Sequence, residues 1–179
     1  MKYISFVVPC FNSEKYMEKC IDSLLMCGDD VEIIIVNDGS TDKTAEIAKN
    51  YLKNNSNIKF IDKENGGHGS GINAGLKICE GLYFKCVDSD DWIDFDAYKK
   101  LIKAIKDNYN KNTNPDLYLT NYNYERIDMN KSFCEDYLRK LVPHDCIFGW
   151  DKVKKMKLHQ FLMMHSLIYK TSIIKQSNL

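Results

Sequence analysis

Three carboxylates crowd into the tetrad Asp88-Ser89-Asp90-Asp91, directly after the apolar run at residues 82–87. Like charges at that spacing repel one another, so a cation belongs among them. Hard divalent ions such as Mg²⁺ or Mn²⁺ take oxygen ligands, and they bind through one or two carboxylates while substrate phosphates complete the shell. The cluster therefore predicts a metal-bound diphosphate.

Asp38 closes a second apolar run, and a carboxylate at such a strand end can accept a charge-assisted hydrogen bond from a ring N–H of a nucleobase. Capping of the following helix by the Asp38-Gly39-Ser40-Thr41-Asp42 chemistry explains the residue equally well. The stretch 64–75 holds five of the nine glycines in the chain, at 66, 67, 69, 71 and 75. It reads as a loop that lets backbone approach a phosphate or sugar, with a flexible connection as the plainer reading. Within it, Gly69-Ser70-Gly71-Ile72-Asn73-Ala74 matches the dinucleotide-binding pattern G-x-G-x-x-A, with Asp88 downstream. That pattern needs a tight turn straight off a strand, and the clustered acids would repel a pyrophosphate lacking a metal, so the metal reading is preferred. His68 could donate to a phosphate or a sugar hydroxyl, or be a surface histidine. His165 sits in an apolar run and reads as a core histidine, and Trp92 reads as packing under the acidic bend. Nothing resembles a nucleophile elbow, a Walker A loop or a zincin helix.

These residues need a scaffold, and short β-rich runs alternating with helical patterns supply one. Strands are expected at 4–8, 31–36, 58–61, 82–87 and 117–122. Helices are expected after an Asn12-Ser13 cap (Met17, Cys20, Ile21, Leu24), after the turn 37–42 (Ile47, Ala48, Tyr51), at 73–79 and at 97–105, with a loop at 107–115. Such alternation implies right-handed βαβ units, hence an α/β fold with a mostly parallel central sheet and helices on both faces. In open sheets of this kind ligands sit beyond the carboxyl ends of the strands, where the motifs at 11–12, 38–40, 64–75 and 88–91 would line one crevice.

At 179 residues the chain fits a single domain. Its 25 Lys and Arg balance 25 Asp and Glu, so no strong field favours nucleic acid or an anionic membrane. The Lys152, Lys154, Lys155 and Lys157 group reads as a solvated face. Seven cysteines without a CxxC pair read as reduced, mostly buried thiols of a cytoplasmic protein. The N-terminal run is too short for a signal peptide or a membrane span.

Taken together, Val7-Val8-Pro9-Cys10-Phe11-Asn12, Val36-Asn37-Asp38-Gly39-Ser40-Thr41-Asp42, Asn65-Gly66-Gly67 through Asn73-Ala74-Gly75 and Val87-Asp88-Ser89-Asp90-Asp91-Trp92 resemble the family 2 glycosyltransferases of GT-A fold. The resemblance covers residues 5–97 most fully. It implies donor contacts from Pro9, Phe11, Asn12, Asp38, Gly66, Gly67, His68, Asp88, Ser89 and Asp90. It also implies a DXD-type metal site for Mn²⁺ or Mg²⁺ at Asp90 with Asp88 and Asp91. On that footing residues 1–106 form the nucleotide-sugar half and 107–179 the start of an acceptor half, with the catalytic base expected beyond Leu179. Glu135, Asp136, Asp145 and Asp151 match no base position, and Ile72 stands where many members carry arginine. The implied reaction moves a sugar, UDP-linked by family expectation, onto a saccharide or lipid-linked hydroxyl with inversion. The setting would be cell-surface polysaccharide or glycoconjugate synthesis, in the cytoplasm or peripheral at the inner membrane face. A non-catalytic nucleotide-sugar module and an NAD-linked oxidoreductase are the alternatives.

Overall fold

The computed structural model describes residues 1–126, 129–136, 138–156 and 162–176. The chain runs β1 (Ile4–Cys10), α1 (Met17–Leu25), β2 (Val31–Asp38), α2 (Thr44–Asn54), β3 (Ile58–Lys63), α3 (His68–Ile78) and β4 (Tyr83–Cys86). It continues through α4 (Phe95–Asn110), β5 (Leu117–Leu119), β6 (Tyr122–Arg126), β7 (Lys131–Glu135), α5 (Leu138–Leu141), β8 (Leu167–Lys170) and α6 (Thr171–Gln176). Six strands form one sheet in the order β3-β2-β1-β4-β8-β5, and β6 and β7 form a separate antiparallel hairpin. The α/β class with a mostly parallel sheet is as the alternation implied. By contacts the chain divides into one unit of Met1–Asp116 with Tyr169–Leu179 and another of Leu117–Ile168.

The first unit is built on β1 and β2, which are buried along their whole length. Their β-branched runs suit strands covered on both faces. β1 pairs in parallel with β2 from Ile4↔Val31 to Cys10↔Asn37, and with β4 from Ile4↔Tyr83 to Val7↔Cys86. Pro9 thus lies past the last β1–β4 pair, where a missing N–H is best tolerated. β3 joins β2 in parallel and ends with Asp38 opposite Lys63. β8 is the antiparallel exception, with Phe84↔Tyr169 and Tyr83↔Lys170. α1 buries Met17, Cys20, Ile21 and Leu24, a stripe at helical spacing. Each such side chain contributes about 2 kcal/mol by leaving water.

Several expected boundaries move, each for a local reason. The Asn12-Ser13 cap is not used: α1 starts at Met17 behind Tyr16, with no side-chain cap bond, because Asn12 and Ser13 are engaged elsewhere. α4 runs on to Asn110, into the expected loop, started by Asp94, whose side chain accepts the Ala97 N–H at 2.7 Å. The strand expected at 117–122 is two, β5 and β6.

The largest correction concerns α3, which begins at His68 rather than near Asn73, so most of the glycine stretch is helix. Its glycines serve close packing. A Cβ on Gly75 would stand 2.4 Å from Val7 Cγ1, and one on Gly71 3.2 Å from Pro9 Cβ. The side-chain-free stripe seats α3 directly on β1. This also removes the dinucleotide pattern, whose glycines belong in a strand-to-helix turn and here lie inside a helix.

At the amino ends of the strands, buried Glu32 gathers its neighbours. Its Oε1 accepts from Ser5 Oγ at 2.5 Å, Glu80 N at 2.5 Å and Gly81 N at 3.1 Å, and Lys59 Nζ pairs with its Oε2 at 2.8 Å. One carboxylate thereby fastens the turn before β4 to β1 and β2.

In the second unit His165 is half-buried, its ring 5.5 Å from that of Tyr122. Lys152, Lys154 and Lys155 are exposed, as a solvated face would be, and Lys157 lies outside the described residues. Cys10, Cys20, Cys27, Cys79 and Cys86 are buried free thiols, while Cys134 and Cys146 are exposed.

Candidate functional site

At the carboxyl ends of β1, β2 and β4 the following loops are stitched together side chain to backbone. Asn12 stands at φ 51°, a left-handed position that asparagine tolerates. Its N–H donates to Ser40 Oγ at 3.0 Å, and its Oδ1 accepts the Thr41 N–H at 2.9 Å. Asp42 takes the Glu14 N–H on Oδ2 at 3.1 Å and the Thr44 N–H on Oδ1 at 3.0 Å, so it starts α2 and holds the β1 loop together. Ser13 Oγ lies 2.8 Å from Ser89 Oγ, tying that loop to the acidic bend. Phe11, between these anchors, is 54% exposed.

Asp38 is 3% exposed at the end of β2. Its Oδ1 accepts from Lys63 Nζ, and from the Gly66 N–H at 3.0 Å. Burial pushes its carboxyl up, but the Lys63 ammonium and the Gly66 and Gly67 N–H groups outweigh that and hold it below the usual carboxylate range. Asp38 caps no helix; it binds the turn that precedes α3. Gly39 follows at φ 73°, and a Cβ there would meet Asn65 N at 2.6 Å. The turns after β2 and β3 are therefore moulded against each other.

His68, the first residue of α3, donates from Nε2 to Asp88 Oδ1 at 2.8 Å, which brings the glycine motif and the acidic bend together. Asp90 is exposed, and Ser89 and Asp91 are half-exposed. Trp92 is half-buried with Lys19 Nζ 3.0 Å from its ring centroid, a packing role. The bend is not purely negative. Burial pushes the Lys85 ammonium, on β4, down to about 8, against the opposing pull of Cys86, Asp91 and Asp88. Below that pH Lys85 supplies a positive charge from inside the protein, so the acids do not depend on a metal alone for relief.

The donor set still fits a hard divalent cation. Asp88, Asp90 and Asp91 offer oxygens, and His68, Cys86 and Asp88 place ligand atoms within 4.8 Å of one another. The Cys86 thiol is pushed up to about 12, first by burial and then by Asp88. A protonated thiol is a poor ligand, which leaves oxygen and imidazole donors and favours Mg²⁺ or Mn²⁺ over thiophilic metals.

The structure thus gathers Asn12, Asp38, Gly66, His68, Asp88 and Ser89 through hydrogen bonds along the strand ends, with Pro9, Phe11, Gly67, Asp90 and Asp91 beside them in sequence. Lys63 and Lys85 escaped the sequence reading. A signal existed for each: Lys63 ends a strand on the ligand side of the sheet, and Lys85 interrupts an apolar run just before the tetrad.

Comparisons with known proteins agree with this arrangement. The family model described as glycosyl transferase family 2 matches residues 5–174. Glycosyltransferase GlyA of Streptococcus pneumoniae serotype 4 is 33% identical over 175 residues, covering 89% of this chain and 25% of GlyA. Chondroitin synthase of Pasteurella multocida (strain Pm70) is 34% identical over 139 residues, covering 72% of this chain and 14% of that protein. The crystal structure of S. aureus TarS 1–349 in complex with UDP-GlcNAc matches with a TM-score of 0.67 and 26% identity, over 99% of this chain and 48% of that one. The chain therefore spans a quarter of GlyA and about half of that TarS chain. With its motifs in order along the strand ends and a family match over nearly its whole length, the chain belongs to glycosyl transferase family 2.

Proposed function

We propose that this chain binds the donor for a metal-dependent, inverting transfer of sugar from a UDP-sugar to an acceptor hydroxyl. The acceptor would be a saccharide or a lipid-linked glycan of the cell surface. One observation carries the reading: the hydrogen-bonded placement of the Asp38–Gly66 and His68–Asp88 pairs at the two ends of one turn and helix start. In this reading Asp38 accepts from the base, and Phe11 with Pro9 and Asn12 flanks it. Gly66 and Gly67 let the backbone come close to the phosphates, which meet the N-terminus of α3, where the first N–H groups of a helix have no intrahelical partner. Asp88 and Ser89 face the ribose, and Asp90 holds the cation with Asp88 and Asp91. When bound, that ion would neutralise charge on the departing nucleoside diphosphate. In the transfer the acceptor oxygen attacks the anomeric carbon from the side opposite the phosphate. The C–O bond to the diphosphate breaks with its electron pair, and a carboxylate base takes the acceptor proton. A single displacement of this kind inverts the centre.

The bound UDP-GlcNAc of TarS supports a UDP-sugar, and the chondroitin synthase relative supports polysaccharide synthesis. No helix among the described residues is long and apolar enough to cross a membrane. Calorimetry of UDP with and without Mn²⁺ tests the proposal. Tightening by the metal of about tenfold or more is expected; folded protein that shows no metal-enhanced nucleotide binding overturns it.

A further inference from the structure

We infer that the second unit carries a binding site for an anionic saccharide, a sugar bearing a phosphate or a carboxylate, in the cavity between α5 and the segment 150–154. Its use as a seat for the acceptor rests on the transfer reading above, whereas the binding itself does not. The cavity measures about 460 Å³, inside the range of about 300 to 1,000 Å³ usual for small-ligand sites. All its lining residues fall within 139–154, so it shares none with the strand-end crevice. The Lys154 N–H donates to the Leu141 carbonyl at 2.8 Å and closes the wall between the two segments. Bonds from the Val142 N–H to the Leu138 carbonyl and from the Lys152 N–H to the Gly149 carbonyl, both at 3.0 Å, fix the turn on each side.

Every titratable side chain that lines the cavity is basic: Arg139, His144, Lys152 and Lys154, all of them exposed. In a chain whose 25 acids match its 25 Lys and Arg, a lining without one carboxylate is a local concentration of positive charge. Lys152 is partly neutralised by Asp151, whose Oδ2 lies 2.9 Å from Nζ. Arg139 and Lys154 make no ion pair among the described residues. Arg139 therefore has its planar fork free for two oxygens of a phosphate or a carboxylate, and Lys154 adds a compact charge. Leu141, buried, and Val142 and Pro143, half-buried, give the cavity an apolar side. That side suits the C–H face of a sugar ring and would go uncovered by a bare inorganic anion. Nucleic acid is matched less well, since among the described residues no Phe, Tyr or Trp lines the cavity for a base to stack on.

The test is NMR titration of the full chain, in EDTA so that no divalent ion contributes, with glucose 6-phosphate, glucuronate, glucose, inorganic phosphate and phosphatidylglycerol vesicles. At least one of the two anionic sugars should shift the amides of residues 138–154 with a Kd of about 1 mM, and the tighter of the pair identifies the anion. Glucose and inorganic phosphate should each bind about tenfold more weakly or less. If neither anionic sugar moves these amides, or if glucose or phosphate alone does so as strongly, the inference is overturned. Vesicles that perturb the same amides while the sugars leave them unmoved also overturn it, in favour of a membrane surface. Arg139→Gln combined with Lys154→Gln should weaken the anionic sugar by about tenfold or more. Lys155→Gln, exposed and next in sequence but outside the lining, should leave it unchanged; an equal loss there would mean unspecific charge and would overturn the inference. Should the double variant fail to fold by circular dichroism, the two single variants read the same loss at about threefold each. UDP with Mn²⁺, titrated into separate samples, keeps the two readings apart, because the double variant should bind it as the unaltered chain does. Sugar-acid binding without UDP binding refutes the donor site and spares this cavity; UDP binding without sugar-acid binding does the reverse.

Discussion

Asp90 makes no hydrogen bond or ion pair among the described residues and is exposed, so removing its charge should leave the fold intact. Asp90→Asn is expected to abolish the gain in UDP affinity from Mn²⁺ while shifting stability by less than about 0.5 kcal/mol, read by calorimetry and thermal melting. Asp38→Asn should differ, because Asp38 is buried and serves Lys63 and Gly66 as well as any ligand. It should cost about 1 to 3 kcal/mol of stability in addition to nucleotide affinity, measured by urea titration and calorimetry. Asp38, Asp88 and Asp90 could be picked out of the sequence because their residue types, at the ends of apolar runs, limit the chemistry available. Lys63 could not be paired with Asp38, since the two stand on different strands and only register sets them side by side.

The strands show what local pattern conveys. β1 to β4 lie within two residues of their expected limits, because runs such as Val-Glu-Ile-Ile-Ile-Val at 31–36 suit few other conformations. α3 departs from the expectation because glycine-rich sequence favours loops in isolation, and only contact with β1 turns that weakness into close packing. Glycines 69 and 75 therefore predict opposite outcomes. Gly75→Ala should destabilise by about 1 to 3 kcal/mol, since its methyl would collide with Val7 Cγ1 at 2.4 Å. Gly69→Ala, where a Cβ meets nothing within 4 Å, should be neutral or stabilise by up to about 1 kcal/mol. Urea denaturation of the two variants decides this, and equal effects would contradict the seating of α3 on β1.

Over the whole molecule, balanced charge and a sheet tied at both ends set the limits of stability. Burial pushes the Glu32 carboxyl up, but Lys59, Ser5 and the Glu80 N–H outweigh it and hold it below its ordinary value of 4.5. A carboxyl held low in the folded chain adds stability above pH 4.5, and that stability is lost as pH falls through the lowered folded value. Lys59 is held above its ordinary 10.5, so its share is complete below that pH and fades as pH rises through the folded value. Glu32→Gln should cost about 2 to 3 kcal/mol at neutral pH and flatten the acid limb of the stability curve, followed by urea midpoints from pH 3 to pH 7. Sequence gave no hint of this clasp, because a lone glutamate in a strand reads as solvent-facing until its neighbours are known. The hydrogen of Gly39, turned toward the Asn65 amide, carries a last consequence for descent. Since a methyl there would come within 2.6 Å, a lineage could replace residue 39 only by rebuilding the neighbouring turn in the same step.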